Sequence, residues 1–292
     1  MNVFQRRKLL GWAFIFIPIS LILLFYFYPM IEAFKMSLQS GHGANLEYVG
    51  LTNYKRLLSD PVFIESLKNT LIFLLFQVPI MIVLAIFFSV ILNNKTLKFK
   101  GFFRTIVFLP SVTSLVAYSL IFKYIFSNNG ILNQLLLSIH AIEQPILWLA
   151  HPFWAKFVII LAITWRWTGY NMIFFLSALQ NIDQEIYEAA DIDGASAIHQ
   201  FFKITLPLLK PVVLFTSITS TIGTLQLFDE TMNITNGGPG NATLTISQYI
   251  YNLSFKYTPD FGYAAAVSYA IVILVIFFSI IQMKVGANNE KK

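Results

Sequence analysis

Cysteine is absent from the 292 residues, which excludes disulfides, thiolate zinc sites and cysteine nucleophiles. Charge is also scarce. Only 12% of the residues are charged, against about 25% in ordinary soluble domains. No glycine is followed by lysine, so the Gly-rich turn plus Lys that cradles nucleotide phosphates is missing. The four histidines, His42, His140, His151 and His199, form no His-Glu-x-x-His pattern, which argues against a zinc enzyme. What is plentiful is apolar: 57% hydrophobic residues and a mean hydropathy of +0.67 describe an integral membrane protein. The net charge of +6 then marks flanks that face anionic lipid, not a nucleic-acid surface.

Crossing a hydrocarbon core of about 30 Å takes about 20 apolar residues in a helix. Six runs meet that length, at 9–31, 69–94, 105–126, 157–182, 211–228 and 261–283, interrupted only by Lys123 and Arg166. An all-α protein of six transmembrane helices is expected. The run after Arg6-Arg7-Lys8 is too long for a secretory leader and lacks a small-residue cleavage site, so it reads as a first span. Lys and Arg cluster at the N-terminus, at Lys95, Lys98, Lys100 and Arg104, and at Lys284, Lys291 and Lys292. Residues 127–154 contain neither. The positive-inside rule therefore places both termini in the cytoplasm of a bacterial-type plasma membrane, with Trp148 and Trp154 in an external aromatic belt. The expected organisation is 1–64 for tail, first helix and external loop, 65–283 for the main transmembrane domain, and 284–292 for a cytoplasmic tail.

Between the fourth and fifth runs lies an acidic, small-residue island at 185–207. Ile198, Phe201 and Phe202 stand at i, i+3 and i+4, one stripe of a short amphipathic helix, with Pro207 opening the next span. Gly194 allows a turn or a close backbone approach. Two short helices with a tight joint are expected. A helix resting on lipid carries basic residues on its polar face, yet here Lys203 stands against Asp183, Glu185, Glu188, Asp191 and Asp193. That imbalance points to a protein partner.

The spacing Glu188-Ala189-Ala190, three residues, Gly194, nine residues, Ile204-x-Leu206-Pro207 resembles the signature loop of permease subunits of binding-protein-dependent ABC importers. Asn69-Thr70-Leu71, Phe103-Arg104-Thr105, Phe108-Leu109-Pro110 and Thr235-Asn236-Gly237-Gly238-Pro239, in that order, extend the likeness over about residues 65–283 and narrow it to the maltose-type carbohydrate permeases. The resemblance implies a non-catalytic transport subunit that binds no cofactor itself. Its expected partners are a second homologous permease, two cytoplasmic ATPase subunits that use ATP and Mg, an extracellular solute-binding protein, the lipid bilayer and a sugar substrate, with no nucleic acid. It also implies that Glu188, Ala189, Ala190, Asp193, Gly194, Ile204, Leu206 and Pro207 couple the chain to the ATPase through a helix that docks there. The chain departs from the group in Asp183-Gln184, where a proline often precedes the motif, and in lacking extra N-terminal spans or a large periplasmic insertion.

Arg166 lies near the middle of the fourth run, where a charge costs at least about 2.5 kcal/mol, so it should face the bundle interior. Thr164, Trp165, Trp167, Tyr170 and Asn171 surround it with stacking faces and hydrogen-bonding groups suited to sugars. The competing reading is a structural Arg bound to backbone carbonyls or Gln226. By resemblance, substrate-path positions fall on Thr164, Arg166, Trp167 and Tyr170, and on Ser220, Gly223, Thr224 and Leu227 in the hydroxyl-rich fifth run, with Asn171 beside them. The departures at Arg166 and Trp167 argue against maltose itself. Arg166 leaves open a glycerol-3-phosphate or charged-sugar substrate. Outside the family, a cation-coupled secondary carrier is the alternative. It is disfavoured because all 14 acidic residues fall outside the runs, with Asp229 and Glu230 at an outer edge. The turn Asn236-Gly-Gly-Pro-Gly240 is expected outside, where the solute-binding protein docks.

Overall fold

A computed structural model describes residues 3–42, 45–94 and 96–288; Lys95, Lys291 and Lys292, used above for orientation, lie outside the described residues. In chain order the elements are α1 (Val3–Ile22), α2 (Tyr28–Ser37), β1 (Gln39–His42), β2 (Asn45–Tyr48), α3 (Thr52–Leu57), α4 (Pro61–Asn93), α5 (Lys100–Val112) and α6 (Leu115–Ile125). They continue as α7 (Ile131–Ser138), α8 (Pro152–Gln180), α9 (Gln184–Ile192), α10 (Ala197–Gln200), α11 (Leu206–Leu225), α12 (Ile246–Tyr251) and α13 (Phe261–Asn288). Among the described residues, five helical segments are long and apolar enough to cross a membrane, six if the bent α5–α6 pair is one span.

The chain divides into two units. The first comprises residues 1–60 and 250–270. In it α1 runs into α2 through a π-turn at Leu23–Phe27, and the large side chains of this helix are exposed. β1 and β2 pair antiparallel, with Gln39 opposite Tyr48. Buried Asn53 holds the carbonyls of Ser37 and Gln39. Arg56 pairs with Asp260 at 2.7 Å and lies over the Tyr263 ring.

The second unit comprises residues 61–249 and 271–292. Its α4 is apolar all round, so hydrophobicity alone gives it no inside. The polar residues do: Ser66, Asn69, Thr70, Gln77 and Ser89 are buried, while Leu75, Phe76, Val83 and Phe87 are exposed. This is the arrangement expected where lipid replaces water and polar groups must find partners within the protein. Asn69 finds them in the carbonyls of Asn241 and Leu244.

Helix α8 packs against α4, α5 and α11. Gly169 makes the α5 contact possible, because a Cβ there would lie 1.9 Å from the Val107 carbonyl oxygen. Two apolar clusters flank the middle of this unit. One gathers Phe73, Tyr118, Phe122, Trp148, Ile159 and Leu227; the other gathers Ala85, Leu92, Met172, Phe175, Leu179 and Leu209. Trp148, expected in an interfacial belt, is a core residue: it is 7% exposed and donates its indole N–H to Asn133 Oδ1 at 2.9 Å. Only Trp154, packed edge-on against it at 4.8 Å, is left partly exposed.

The third apolar run is not one helix. α5 and α6 meet at 98°, because Thr113 is extended and Ser114 caps α6 by accepting the Ala117 N–H. Ser111-Val-Thr-Ser114 offers hydroxyls that compete for backbone hydrogen bonds, and serine is a strong helix starter. The fifth run differs in the opposite direction. Instead of beginning near residue 211, an unbroken helical stretch runs from Ala197 to Leu225, with a π-turn at Phe201–Thr205. Of the four π-turns among the described residues, those at Leu23–Phe27 and Phe201–Thr205 end two residues before a proline, Pro29 and Pro207. Proline has no N–H and its ring crowds the carbonyl four residues back, so a locally widened turn lets the helix pass through it.

Candidate functional site

A cavity of about 250 Å³ opens within the second unit between α4, α8 and α11. From α8 come Ile163, Trp167, Tyr170 and Asn171; from α11 come Thr219, Ser220, Gly223 and Thr224. Gln226, Leu227, Phe228, Asp229 and Glu230 close it after α11 ends, with Leu115 from α6 and Gln77 and Met81 from α4.

Helical spacing explains the wall. Trp167, Tyr170 and Asn171 stand at i, i+3 and i+4, as do Ser220, Gly223 and Thr224, so each set shares a helix face. The Trp167 and Tyr170 rings meet edge to face at 5.7 Å. Thr224 donates its hydroxyl to Gln77 Oε1 and to the Ser220 carbonyl, both at 2.9 Å. Gln77 and Asn171 each direct an amide N–H at the Met81 sulfur, at 3.3 Å. The wall thus combines two aromatic faces with amide and hydroxyl groups, a surface able to stack on and hydrogen-bond a hydroxyl-rich ligand. Among the described residues, no group of three His, Asp or Glu side chains is gathered to hold a metal.

Of the nine residues expected on a substrate path, Trp167, Tyr170, Asn171, Ser220, Gly223, Thr224 and Leu227 line this cavity; Thr164 and Arg166 do not. Thr164 is buried, its carbonyl accepting from the Thr168 hydroxyl. Arg166 is 6% exposed and turns its guanidinium toward the α5–α6 break. It donates to the Thr113 carbonyl at 2.9 Å, with the Pro110 and Ser111 carbonyls at 3.4 and 3.5 Å. The Pro110 carbonyl also accepts from the Thr113 hydroxyl at 2.7 Å; for the carbonyls that the helix end leaves without an intrahelical donor, the flat fork of arginine suits several at once. Its Cζ also lies 4.8 Å from the centre of the Tyr118 ring.

The Tyr118 hydroxyl donates to Glu230 across the end of the cavity. Glu230 is 4% exposed, and burial, then the neighbouring Asp229, push its carboxyl above the usual carboxylate range against the opposing effects of the Tyr118 bond and Arg166. Sequence reasoning missed Gln77, Met81, Tyr118 and the inward turn of Asp229 and Glu230. One signal was present, since Thr70 and Gln77 are polar positions seven apart in an apolar run. Nothing in the sequence announced the turn after Leu225 that brings Glu230 back.

The island folds as α9, a joint and α10. α9 ends in a Schellman motif: Gly194 N–H bonds the Asp191 carbonyl at 3.0 Å, and Ala195 N–H the Ala190 carbonyl at 2.9 Å. Gly194 sits at φ +76°, with nothing within 4 Å of where a Cβ would be. The glycine therefore serves the turn, and no close approach. Ser196 then caps α10 by accepting the His199 N–H. Tyr187 bonds Thr205 at 2.9 Å, tying α9 to the π-turn. Of the expected stripe, Phe201 packs inward against the second apolar cluster, while Ile198 and Phe202 are 73% and 58% exposed. With Ile192 at 87% they leave an apolar surface uncovered. Glu188 accepts from Gln184 at 2.9 Å and, with Ala189 and Asp193, is exposed; Ala190, Ile204, Leu206 and Pro207 are half-buried.

Several apolar helices long enough to span a bilayer, around a polar-walled cavity and a protruding helix pair, define a multi-pass membrane transport protein. Residues 63–285 match the family described as the binding-protein-dependent transport system inner membrane component, and the chain belongs to that family. The lactose transport system permease protein LacF of Rhizobium radiobacter is 56% identical over 284 residues, covering 97% of this chain and 95% of that protein. The arabinooligosaccharides transport system permease protein AraP of Bacillus subtilis is 33% identical over 290 residues, covering 98% and 91%. Among solved structures, a bacterial ABC transporter involved in import of the acidic polysaccharide alginate shares the fold. Its TM-score is 0.83 at 23% identity, with 97% of this chain and 96% of that one covered. The chain is accordingly an ABC transporter permease of the carbohydrate-transport group, a membrane subunit of a non-catalytic kind.

Proposed function

We propose that the chain is one of two permeases of an ATP-driven importer that takes up an oligosaccharide or related sugar, with the cavity as part of the translocation path. The observation that carries this reading is the joining of Trp167, Tyr170, Asn171, Ser220 and Thr224 on one polar and aromatic wall. The names of the relatives, which concern lactose and arabinooligosaccharides, support a short glycan as cargo. The α5–α6 pair is read as a single bent span, giving six spans with both termini cytoplasmic. The apolar surface of Ile192, Ile198 and Phe202 is read as the docking face for an ATPase subunit. That partner binds the ATP and Mg, since no Gly-Lys pair exists in this sequence to hold phosphate. An external solute-binding protein delivers the sugar, as suggested by the kinship of the fold with an alginate transporter solved with a pentasaccharide-bound periplasmic protein.

The test is reconstitution of the chain in proteoliposomes with its partner permease, ATPase and binding protein, followed by uptake of labelled lactose. Uptake is expected only with ATP and binding protein present. Accumulation by the chain alone, driven by a sodium gradient, would establish the secondary-carrier reading instead.

A further inference from the structure

The charged side chains that line the cavity are both acidic, Asp229 and Glu230; among the described residues no Lys, Arg or His lines it. Arg166 stands behind this wall, its Cζ 5.5 Å from the centre of the Trp167 ring. Its two terminal nitrogens are committed to the carbonyls of residues 110, 111 and 113, and the Tyr118 ring stands against its guanidinium. The acidic end is also fixed in place: Glu230 is held by Tyr118, and Asp229 stays in position because Asn233 binds its backbone carbonyl at 2.7 Å, leaving the carboxylate out of that contact.

We infer that this acidic end wall makes the cavity selective by charge, admitting neutral or amino sugars and rejecting uronates and sugar phosphates. The inference rests on the cavity being the sugar path and adds what that reading leaves open, the charge class of the cargo. Two effects act together. A carboxyl group has two oxygens and Tyr118 takes one of them, so Glu230 keeps hydrogen-bonding capacity for sugar hydroxyls. An anionic ligand in the same poorly solvated space meets like charge that solvent screens weakly. Selectivity of this kind is a difference between two affinities, produced here as much by repulsion of the wrong ligand as by attraction of the right one. It also removes the basis for an anionic cargo: the arginine that would have bound a phosphate or carboxylate fastens the α5–α6 break instead.

The assembled transporter in lipid nanodiscs is titrated with lactitol and with lactobionate, disaccharides that share an open-chain end and differ there in one charge. The readout is the ratio of their dissociation constants for the wild type, Asp229→Asn and Asp229→Asn/Glu230→Gln. The wild type is expected to favour lactitol at least about tenfold, each neutralisation narrowing the ratio and the double variant removing most of it. Asp229→Asn keeps the test available if the double variant does not assemble, because the Asn233 contact needs only the backbone. Lactitol binding with a ratio unmoved by either variant overturns charge selection and leaves the sugar path standing. If neither sugar binds any of the proteins, or Trp167→Ala leaves lactitol binding unchanged, the sugar-path reading falls and the inference falls with it.

Discussion

Arg166 and Glu230 show how burial assigns tasks to charged side chains in this protein. Arg166 answers the Thr113 carbonyl where α5 stops, so Arg166→Ala takes away its donor, a change that costs about 1–3 kcal/mol. The expected result is a lowered thermal midpoint of the purified protein. Arg166→Lys should recover only part of it, since an ammonium cannot match the fork. The sequence left a substrate contact and a structural arginine both open, and the bond to the Thr113 carbonyl moves the expected effect to stability. The folded pKa of Glu230 lies above the ordinary one because burial disfavours the charge. Its favourable contribution is therefore complete below the unfolded carboxyl value and is lost as pH rises through the folded value. Midpoints measured as pH rises from the unfolded carboxyl range should fall for the wild type more than for Glu230→Gln.

Among the helices, close contact and termination set the limits. Gly169→Ala places a methyl group against the Val107 carbonyl oxygen, and because backbone cannot rotate away, α5 must move. Overpacking of this kind costs about 1–3 kcal/mol or more, so a lower yield of folded protein on size-exclusion chromatography is expected. Gly194→Val meets no neighbour but forces a β-branched residue into left-handed backbone, at about 1–2 kcal/mol. The strain falls on the Schellman joint between α9 and α10. Insertion should be retained while substrate-stimulated ATPase activity of the reconstituted complex separates from uptake; full coupling in this variant would remove the joint from the mechanism. The bent α5–α6 pair belongs to the same scale. Its corner is stable because Arg166 donates to the Thr113 carbonyl at the end of α5 and Ser114 offers an acceptor to the first amides of α6.

At the scale of the whole molecule, much was legible in the sequence, for physical reasons. Apolar runs near 20 residues long announce spans whatever their surroundings, because a bilayer demands internally satisfied backbone. The Glu188 to Pro207 spacing announced the family, since a fixed interval between Gly194 and Pro207 encodes a turn and a helix length that need no distant contact. The resemblance put Trp167, Tyr170, Ser220, Gly223 and Thr224 on the path, with Asn171 beside them, and the structure shows each side of the wall to be an i, i+3, i+4 set. What only the tertiary structure decided is how those faces meet and which charges join them. Arg166 was expected in the bundle interior, and its direction depended on whether the third run was continuous. Once that run breaks at Thr113, free carbonyls draw the guanidinium away from the cavity, while the chain beyond Leu225 turns back and delivers Glu230 in its place. A sequence fixes residue type and local spacing, but the partner of a buried charge is chosen by whichever acceptors the packing of other helices leaves unpaired.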